Sequence, residues 1–171
     1  LDLRDGCYRR TLRWRAPGGG TLEIVAERLV PLDRPGVLAI RYRVRSIDYR
    51  GPVALESAID TARSAVAQGD DPRIGAHLDG GLQLHGAHAD ADLAWVAQHT
   101  THSGIRLACA QAHRIAGDSL AFQDAARTEH GVTQTFAGQL APGDEVALDK
   151  FAAWAWSPPG ANADVDPTLL S

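Results

Sequence analysis

Hydrophobic and polar residues alternate with a period of two along most of this chain. The clearest run lies at positions 38–45, where apolar side chains take the even positions and arginines take most of the odd ones. Successive side chains of a β-strand point to opposite faces of the sheet. This run therefore predicts a strand with one buried face and one solvated face.

Shorter or weaker alternation predicts nine further strands, at 8–14, 22–29, 53–59, 82–84, 93–97, 105–109, 120–122, 132–136 and 146–156. Combinations of Gly, Pro, Asp and Ser lie between them and are typical of turns. A change of parity within 22–29 predicts a β-bulge there. About ten short strands joined by turns indicate an all-β fold, an antiparallel β-sandwich.

Two stretches interrupt this pattern. Residues 61–68 have a weak helical character, and we expect a loop there. The tail after Ser157 begins with two prolines, which cannot continue a strand, so we expect a linker. The predicted organisation is one β-sandwich domain at 1–157 and a linker at 158–171 that leads to a further domain, with Leu1 as a boundary cut from a longer chain.

Composition agrees with one globular domain, since the chain has 171 residues, 22% charged and 44% hydrophobic. No apolar run approaches the ~20 residues that a membrane-spanning helix needs, so we expect no membrane partner. Arginines at 41, 43 and 45 fit the wet face of a strand, and we expect no nucleic-acid partner. Cys7 and Cys109 form no paired motif, which favours a reduced cytoplasm.

Residues 117–120 spell Gly-Asp-Ser-Leu, the nucleophile block of the GDSL esterases. That serine needs a strand-to-helix turn and a general base. The surroundings here predict strands, and no histidine follows His130. We therefore expect no catalytic residue in this block.

Histidines occur in two closely spaced pairs, His85 with His88 and His99 with His102. On a regular strand a spacing of three puts the two side chains on opposite faces, so we expect no metal site. Most aspartates lie in turn-like stretches, where a carboxylate commonly accepts a local backbone hydrogen bond. Glycine-rich phosphate loops are absent, and we expect no cofactor.

Four tryptophans are present, and an indole face suits both a sandwich core and a sugar ring. We expect Trp95 and Trp154 in the core. Trp14 and Trp156 are the candidates for contact with carbohydrate, although no substrate-binding residue can be assigned from the pattern.

Lys150 is the single lysine among 17 basic residues. Parity with Val146, Leu148 and Trp154 points it inward, where an ammonium group is costly without a partner. Lys150 is therefore a candidate for a structural ion pair, with Glu27, Glu56 or Asp60 as its partner. The other open interpretation is an outward Lys150, or a bulge at Asp149.

Several segments, in this order, resemble the amino-terminal domain of glycoside hydrolase family 65, which contains maltose, trehalose and kojibiose phosphorylases. They are 1–6 leading to Arg10 and Trp14, then 26–32, 38–44, 100–108 and 146–151 with Lys150. The resemblance covers nearly the whole chain. Asp48, where the family commonly has Asn, and 60–63 depart from the family pattern.

The resemblance implies a galactose-mutarotase-like supersandwich joined, in the parent enzyme, to an (α/α)6 barrel that carries the catalytic Glu and the phosphate site. It implies inverting cleavage of an α-glucoside by phosphate or water in that parent. The domain itself would give packing, homodimer contacts and a loop at the sugar pocket. A free-standing carbohydrate-binding module is the main alternative, and an aldose epimerase of similar fold is the third.

Overall fold

The structure is a computed structural model that describes residues 2–62 and 81–158. The predicted loop at 61–68 and the predicted linker at 158–171 lie almost entirely outside these ranges. The described residues form ten strands and no helix, so nothing in them has the form of a bilayer-crossing helix.

All ten strands expected from the alternation are present, and most extend further than the pattern indicates. Their bounds are β1 Cys7–Arg15, β2 Thr21–Leu29, β3 Val37–Ser46, β4 Gly51–Asp60, β5 Leu82–Ala89, β6 Ala94–Thr100, β7 Arg106–Ala116, β8 Leu120–Thr128, β9 Gly131–Leu140 and β10 Glu145–Ser157.

The strands form two antiparallel sheets. Seven strands follow the order β1-β2-β3-β10-β7-β6-β5, and three follow the order β4-β9-β8. Strand β10 lies at the centre of the larger sheet, between β3 and β7. The predicted all-β antiparallel sandwich is confirmed.

The core lies between the sheets in two clusters of buried side chains. The larger cluster surrounds Phe136 and Leu148, and the smaller one surrounds Val96 and Val132. On β10 the side chains of Val146 and Leu148 face this interior, which we call the inner face of the larger sheet. Ala147 and Asp149, which alternate with them, lie on its outer face.

The prediction of a bulge in β2 is wrong, because β2 keeps a continuous register with both neighbours from Leu22 to Leu29. The weak apolar pattern there misleads, since Ala26 and Arg28 occupy inner-face positions. Bulges occur instead in β5, between Leu84 and Gly86, and in β8, between Phe122 and Asp124.

Gly138 permits a close approach between β9 and the start of β8. A Cβ atom at this position would lie 1.7 Å from the backbone oxygen of Ser119. Only a residue without a side chain fits there. The approach keeps Leu120, which pairs with Gly138, inside the larger core cluster.

Candidate functional site

Lys150 points into the sandwich from the middle of β10. The register of β10 runs without interruption through Asp149 and Lys150 on both sides, so the bulge considered for Asp149 does not form. Alternation then puts Lys150 on the inner face, and the interpretation of an outward lysine is wrong. Its Nζ donates a hydrogen bond to the carbonyl oxygen of Ala58 on β4, at 3.1 Å.

Burial lowers the pKa of the Lys150 ammonium group from its usual value. Among the described contacts of Lys150 the acceptor is a backbone carbonyl and not a carboxylate. Of the three expected partners, Glu27 lies on the outer face with Arg9 and Arg43. The ion pair stays a prediction, while the contact with Ala58 joins the two sheets.

A chain of buried polar side chains runs beside Lys150 between the two core clusters. The Gln111 Nε2 donates to the carbonyl oxygen of Ser57 at 3.2 Å and to the Gln134 Oε1 at 3.0 Å. The Gln134 Nε2 donates in turn to the carbonyl oxygen of Asp90 at 2.8 Å. Both glutamines are almost fully buried, so these bonds satisfy groups that water cannot reach.

Ser57 and His113 form a pair that superficially resembles half of a hydrolase triad, with 2.8 Å between the Ser57 Oγ and the His113 Nε2. Burial lowers the pKa of His113 to about 4, which makes it a poor base near neutral pH. Within the described residues its Nδ1 has no hydrogen-bond partner, so no carboxylate orients the ring. The pair is structural.

Cys109 occupies the inner face of β7 in the smaller core cluster. Burial raises the pKa of its thiol to about 11, which keeps the sulfur protonated and unreactive at neutral pH. Cys7 and Cys109 are both free thiols.

On the outer face, Asp149 is buried between two arginines from the strands that flank β10. Arg41 donates from Nε at 2.7 Å and from Nη2 at 2.8 Å, and Arg114 donates from Nη2 at 2.8 Å. The two hydrogen bonds from Arg41, followed by the one from Arg114, lower the pKa of Asp149 to about 2. Glu27 likewise lies between two arginines, Arg9 and Arg43. The hydrogen bond from Arg9 is the largest cause that lowers the pKa of Glu27.

The tryptophans divide differently from the prediction. Trp95 is half-buried and stacks on His88, with 6.2 Å between ring centroids. It alternates with Ala94 and Val96 of the smaller core cluster and so lies on the outer face, which makes the prediction of Trp95 in the core wrong.

The prediction that Trp154 lies in the core is wrong, because 47% of its surface is exposed. Along the inner face of β10, exposure is 0% at Val146 and still 4% at Ala152, but it reaches 69% at Trp156, and neither core cluster includes Trp154. Trp14 is exposed as well.

The bulge in β5 changes the placement of the histidines. It brings His85 next to His99 of β6, with 5.6 Å between ring centroids, while His88 stacks on Trp95. Trp95 and His99 are four residues apart on a regular strand, so His85 and His88 share one face, contrary to the expectation of opposite faces. No group of three or more potential metal ligands forms within the described ranges.

The Gly-Asp-Ser-Leu block lies at a turn between two strands, with Leu120 opening β8. The strand-to-helix turn that an esterase needs is not formed there.

Two of the aspartates accept local backbone hydrogen bonds as expected. The Asp60 Oδ1 accepts from the amide of Ala62 at 2.8 Å, and the Asp90 Oδ1 accepts from the amides of Asp92 and Leu93, both at 2.9 Å. Asp124 lies within β8 rather than in a turn. Asp70 and Asp71 lie outside the described residues.

A cleft of about 370 Å³ opens between β4 and the inner face of the larger sheet. Lys150, Arg28 and Tyr42 line it from the larger sheet, and Leu55 and Glu56 line it from β4. It contains charged and hydrogen-bonding groups but no nucleophile that is paired with a competent base.

The model of the N-terminal domain of glycosyl hydrolase family 65 matches residues 1–168. The chain belongs to this family. The family resemblance seen in the sequence is therefore confirmed.

Relatives in the family are several times longer than this chain. An α,α-trehalose phosphorylase from Thermoanaerobacter brockii is 28% identical over 155 residues, covering 90% of this chain and 20% of that protein. An uncharacterised glycosyl hydrolase of Mycobacterium tuberculosis is 30% identical over 158 residues, covering 92% and 20%. This family 65 chain thus spans about a fifth of the length of either relative.

A solved structure shows the same fold. A human-microbiome protein provisionally assigned as a kojibiose phosphorylase superposes with a TM-score of 0.77 at 15% identity. The match covers 95% of this family 65 chain and 19% of that protein.

Sequence reasoning missed the buried chain of Gln111, Gln134, Ser57 and His113. The available signal is their parity, because Gln111 and His113 alternate with alanines in β7 and share the face of Cys109. Parity identifies the inner face, but it does not show which residue of another strand lies opposite.

The two buried glutamines depend on each other, which a double-mutant cycle can measure. Replacing Gln134 by Leu leaves Gln111 and the carbonyl of Asp90 short of a partner, so we expect a loss of about 1–3 kcal/mol in the free energy of unfolding. Gln111→Leu should cost a similar amount. The double variant should lose less than the sum, with a coupling of about 0.5–3 kcal/mol in urea denaturation. Strict additivity would contradict the hydrogen bond between them.

Asp149 should make stability depend on pH at the acid end. An unfolded Asp titrates near ~3.9, and the folded pKa is about 2, so the stabilisation is complete above pH ~4 and disappears as the pH falls toward 2. We expect Asp149→Asn to cost about 2 kcal/mol at pH 7 and much less at pH 2. Glu129→Gln, at an exposed position, is the control and should be near neutral. A difference for Asp149→Asn that does not change with pH would contradict this account.

Proposed function

We propose that this chain is the non-catalytic amino-terminal β-sandwich domain of an inverting α-glucoside phosphorylase or hydrolase. In the parent enzyme it packs against an (α/α)6 barrel that carries out the chemistry. It contributes to a homodimer interface and supplies a loop at the rim of the sugar pocket. Cytoplasmic location is part of the same proposal.

The main support is the coverage of the relatives. The family model describes an amino-terminal domain, and about four fifths of each relative lies outside the matched region. A trehalose phosphorylase among them makes phosphorolysis of an α-glucoside the leading activity for the parent.

The chemistry of the described residues agrees with a supporting role. The Ser57–His113 pair is buried with an imidazole of lowered pKa, and the thiol of Cys109 has a raised pKa. The carboxylate of Asp149 is engaged by two arginines. These groups stabilise the sandwich, and none is poised to cleave a glycosidic bond.

The exposed tryptophans support contact with a further part of the parent. Trp154 and Trp156 lie near the end of β10, the last described strand, and carry large apolar surface in water. A surface of this kind usually marks an interaction site. Packing against the following domain would bury both indoles.

The same tryptophans favour one second candidate, a carbohydrate-binding module. Trp14, Trp154 and Trp156 are all about half exposed or more, as side chains that stack on sugar rings must be. Under this alternative the isolated chain binds glucans, and the indoles contact sugar rather than protein.

Activity assays separate these functions. We expect the 171-residue chain to release no glucose or glucose 1-phosphate from trehalose, maltose or kojibiose with phosphate, while the parent protein, expressed with the residues that follow Ser171 in its gene, does so. Titration of the isolated chain with maltose and soluble glucans, followed by tryptophan fluorescence, should show no saturation.

Turnover by the isolated chain would overturn the proposal. Saturable glucan binding that Trp156→Ala abolishes would favour the binding module, with Trp95→Phe at the half-buried indole as a control for general effects on fluorescence. Inactivity of a well-folded parent protein toward every α-glucoside tested would also contradict the proposal.

A further inference from the structure

A row of side chains crosses the inner face of the larger sheet at the level of Lys150. The register pairs Tyr8 with Arg28, Arg28 with Ile40, Ile40 with Lys150, and Lys150 with His113. Arg28 and Lys150 are thus two strands apart, which corresponds to ~10 Å between their backbones. Side chains as long as these can converge on one group placed above Ile40.

The same two cations line the cleft of about 370 Å³ beside β4. This volume lies within the range of small-molecule sites. Tyr42, Leu55 and Leu148 give the cleft apolar walls, and Glu56, exposed on β4, is its acidic lining residue.

The positive charges of this cleft exceed its negative charge. Arg28 stacks over the ring of Tyr8, with its Cζ 5.9 Å from the centroid, and Lys150 donates to the carbonyl oxygen of Ala58. The neighbouring carboxylates Glu27 and Asp149 lie on the outer face and engage other arginines. His113 completes the row as a neutral imidazole, because burial lowers its pKa to about 4.

We propose that this cleft is a binding site for a small phosphate-bearing ligand, either inorganic phosphate or a sugar phosphate. The Arg28 guanidinium offers paired donors that match two phosphate oxygens, and the Lys150 ammonium group adds a compact positive charge. Tyr42 and Leu55 provide apolar surface for the carbon skeleton of a phosphorylated sugar. The proposal does not depend on the function proposed above.

Titration of the 171-residue chain by NMR tests the site. The probes are inorganic phosphate, glucose 1-phosphate and glucose, at constant ionic strength so that screening does not change. We expect both phosphate-bearing probes to shift the Lys150 ammonium signal and the backbone amides of 54–58 saturably, and glucose to shift neither. Equal affinity for the two phosphate probes means that the anion alone is recognised, and tighter binding of glucose 1-phosphate means that the sugar contributes.

Arg28→Gln is the decisive variant, because Arg28 is exposed and its replacement leaves the core intact. We expect it to weaken phosphate binding by about tenfold, as the loss of a charged hydrogen bond does. Arg45→Gln removes the same charge from the outer face of β3 and is the matched control, for which we expect unchanged affinity.

Three results would overturn the proposal. The first is the absence of a saturable shift with either phosphate probe. The second is an equal loss of affinity in Arg28→Gln and Arg45→Gln, which would mean diffuse attraction by net charge. The third is saturation by glucose with the affinity of glucose 1-phosphate, which would mean a neutral sugar site.

Discussion

The antiparallel pairing of β10 with β3 on one side and β7 on the other joins two groups of strands that are distant in the chain. β1, β2 and β3 pair in chain order, as do β5, β6 and β7, and β10 closes the gap between these groups. With β10 in place, the two groups become one continuous sheet of seven strands, whose inner face packs on the smaller sheet. Val146 and Leu148 complete the larger core cluster from this position.

The two faces of β10 accommodate charge in different ways. Asp149 lies on the outer face, where two arginines from the flanking strands donate three hydrogen bonds to its carboxylate. Lys150 lies on the inner face, where its ammonium group donates a hydrogen bond to a backbone carbonyl of the smaller sheet and burial lowers its pKa. Charge on one face therefore ties strands within a sheet, and charge on the other ties the two sheets together and lines the cleft.

Local pattern predicts much of this fold, because strand alternation is a property of neighbouring residues. The ten strands, the antiparallel sandwich and the local role of Asp90 follow from it. Partners across strands do not, since they depend on register. The prediction of a bulge in β2 is wrong because Ala26 and Arg28 blur the apolar pattern. The prediction of opposite faces for His85 and His88 is wrong because β5 has a bulge at His85. The prediction of a buried Trp154 is wrong because alternation gives the face on which a side chain lies and not its exposure. Gln111 and Gln134 meet only once the two sheets are stacked.

The family places this sandwich at the amino terminus of longer relatives, and the described residues hold buried polar groups that stabilise rather than react. Both the contact between the sheets at Ala58 and the charge of the cleft require Lys150 to face the interior. Because it is the single lysine in the chain, its side-chain nitrogen gives one assignable ¹⁵N resonance, so a pH titration by NMR measures its pKa directly. For an inward Lys150 we expect a pKa below the ~10.4 of an exposed lysine, a return to that value in denaturant, and proton contacts to Ala58 in the folded chain. An unshifted pKa without contacts to β4 would contradict it.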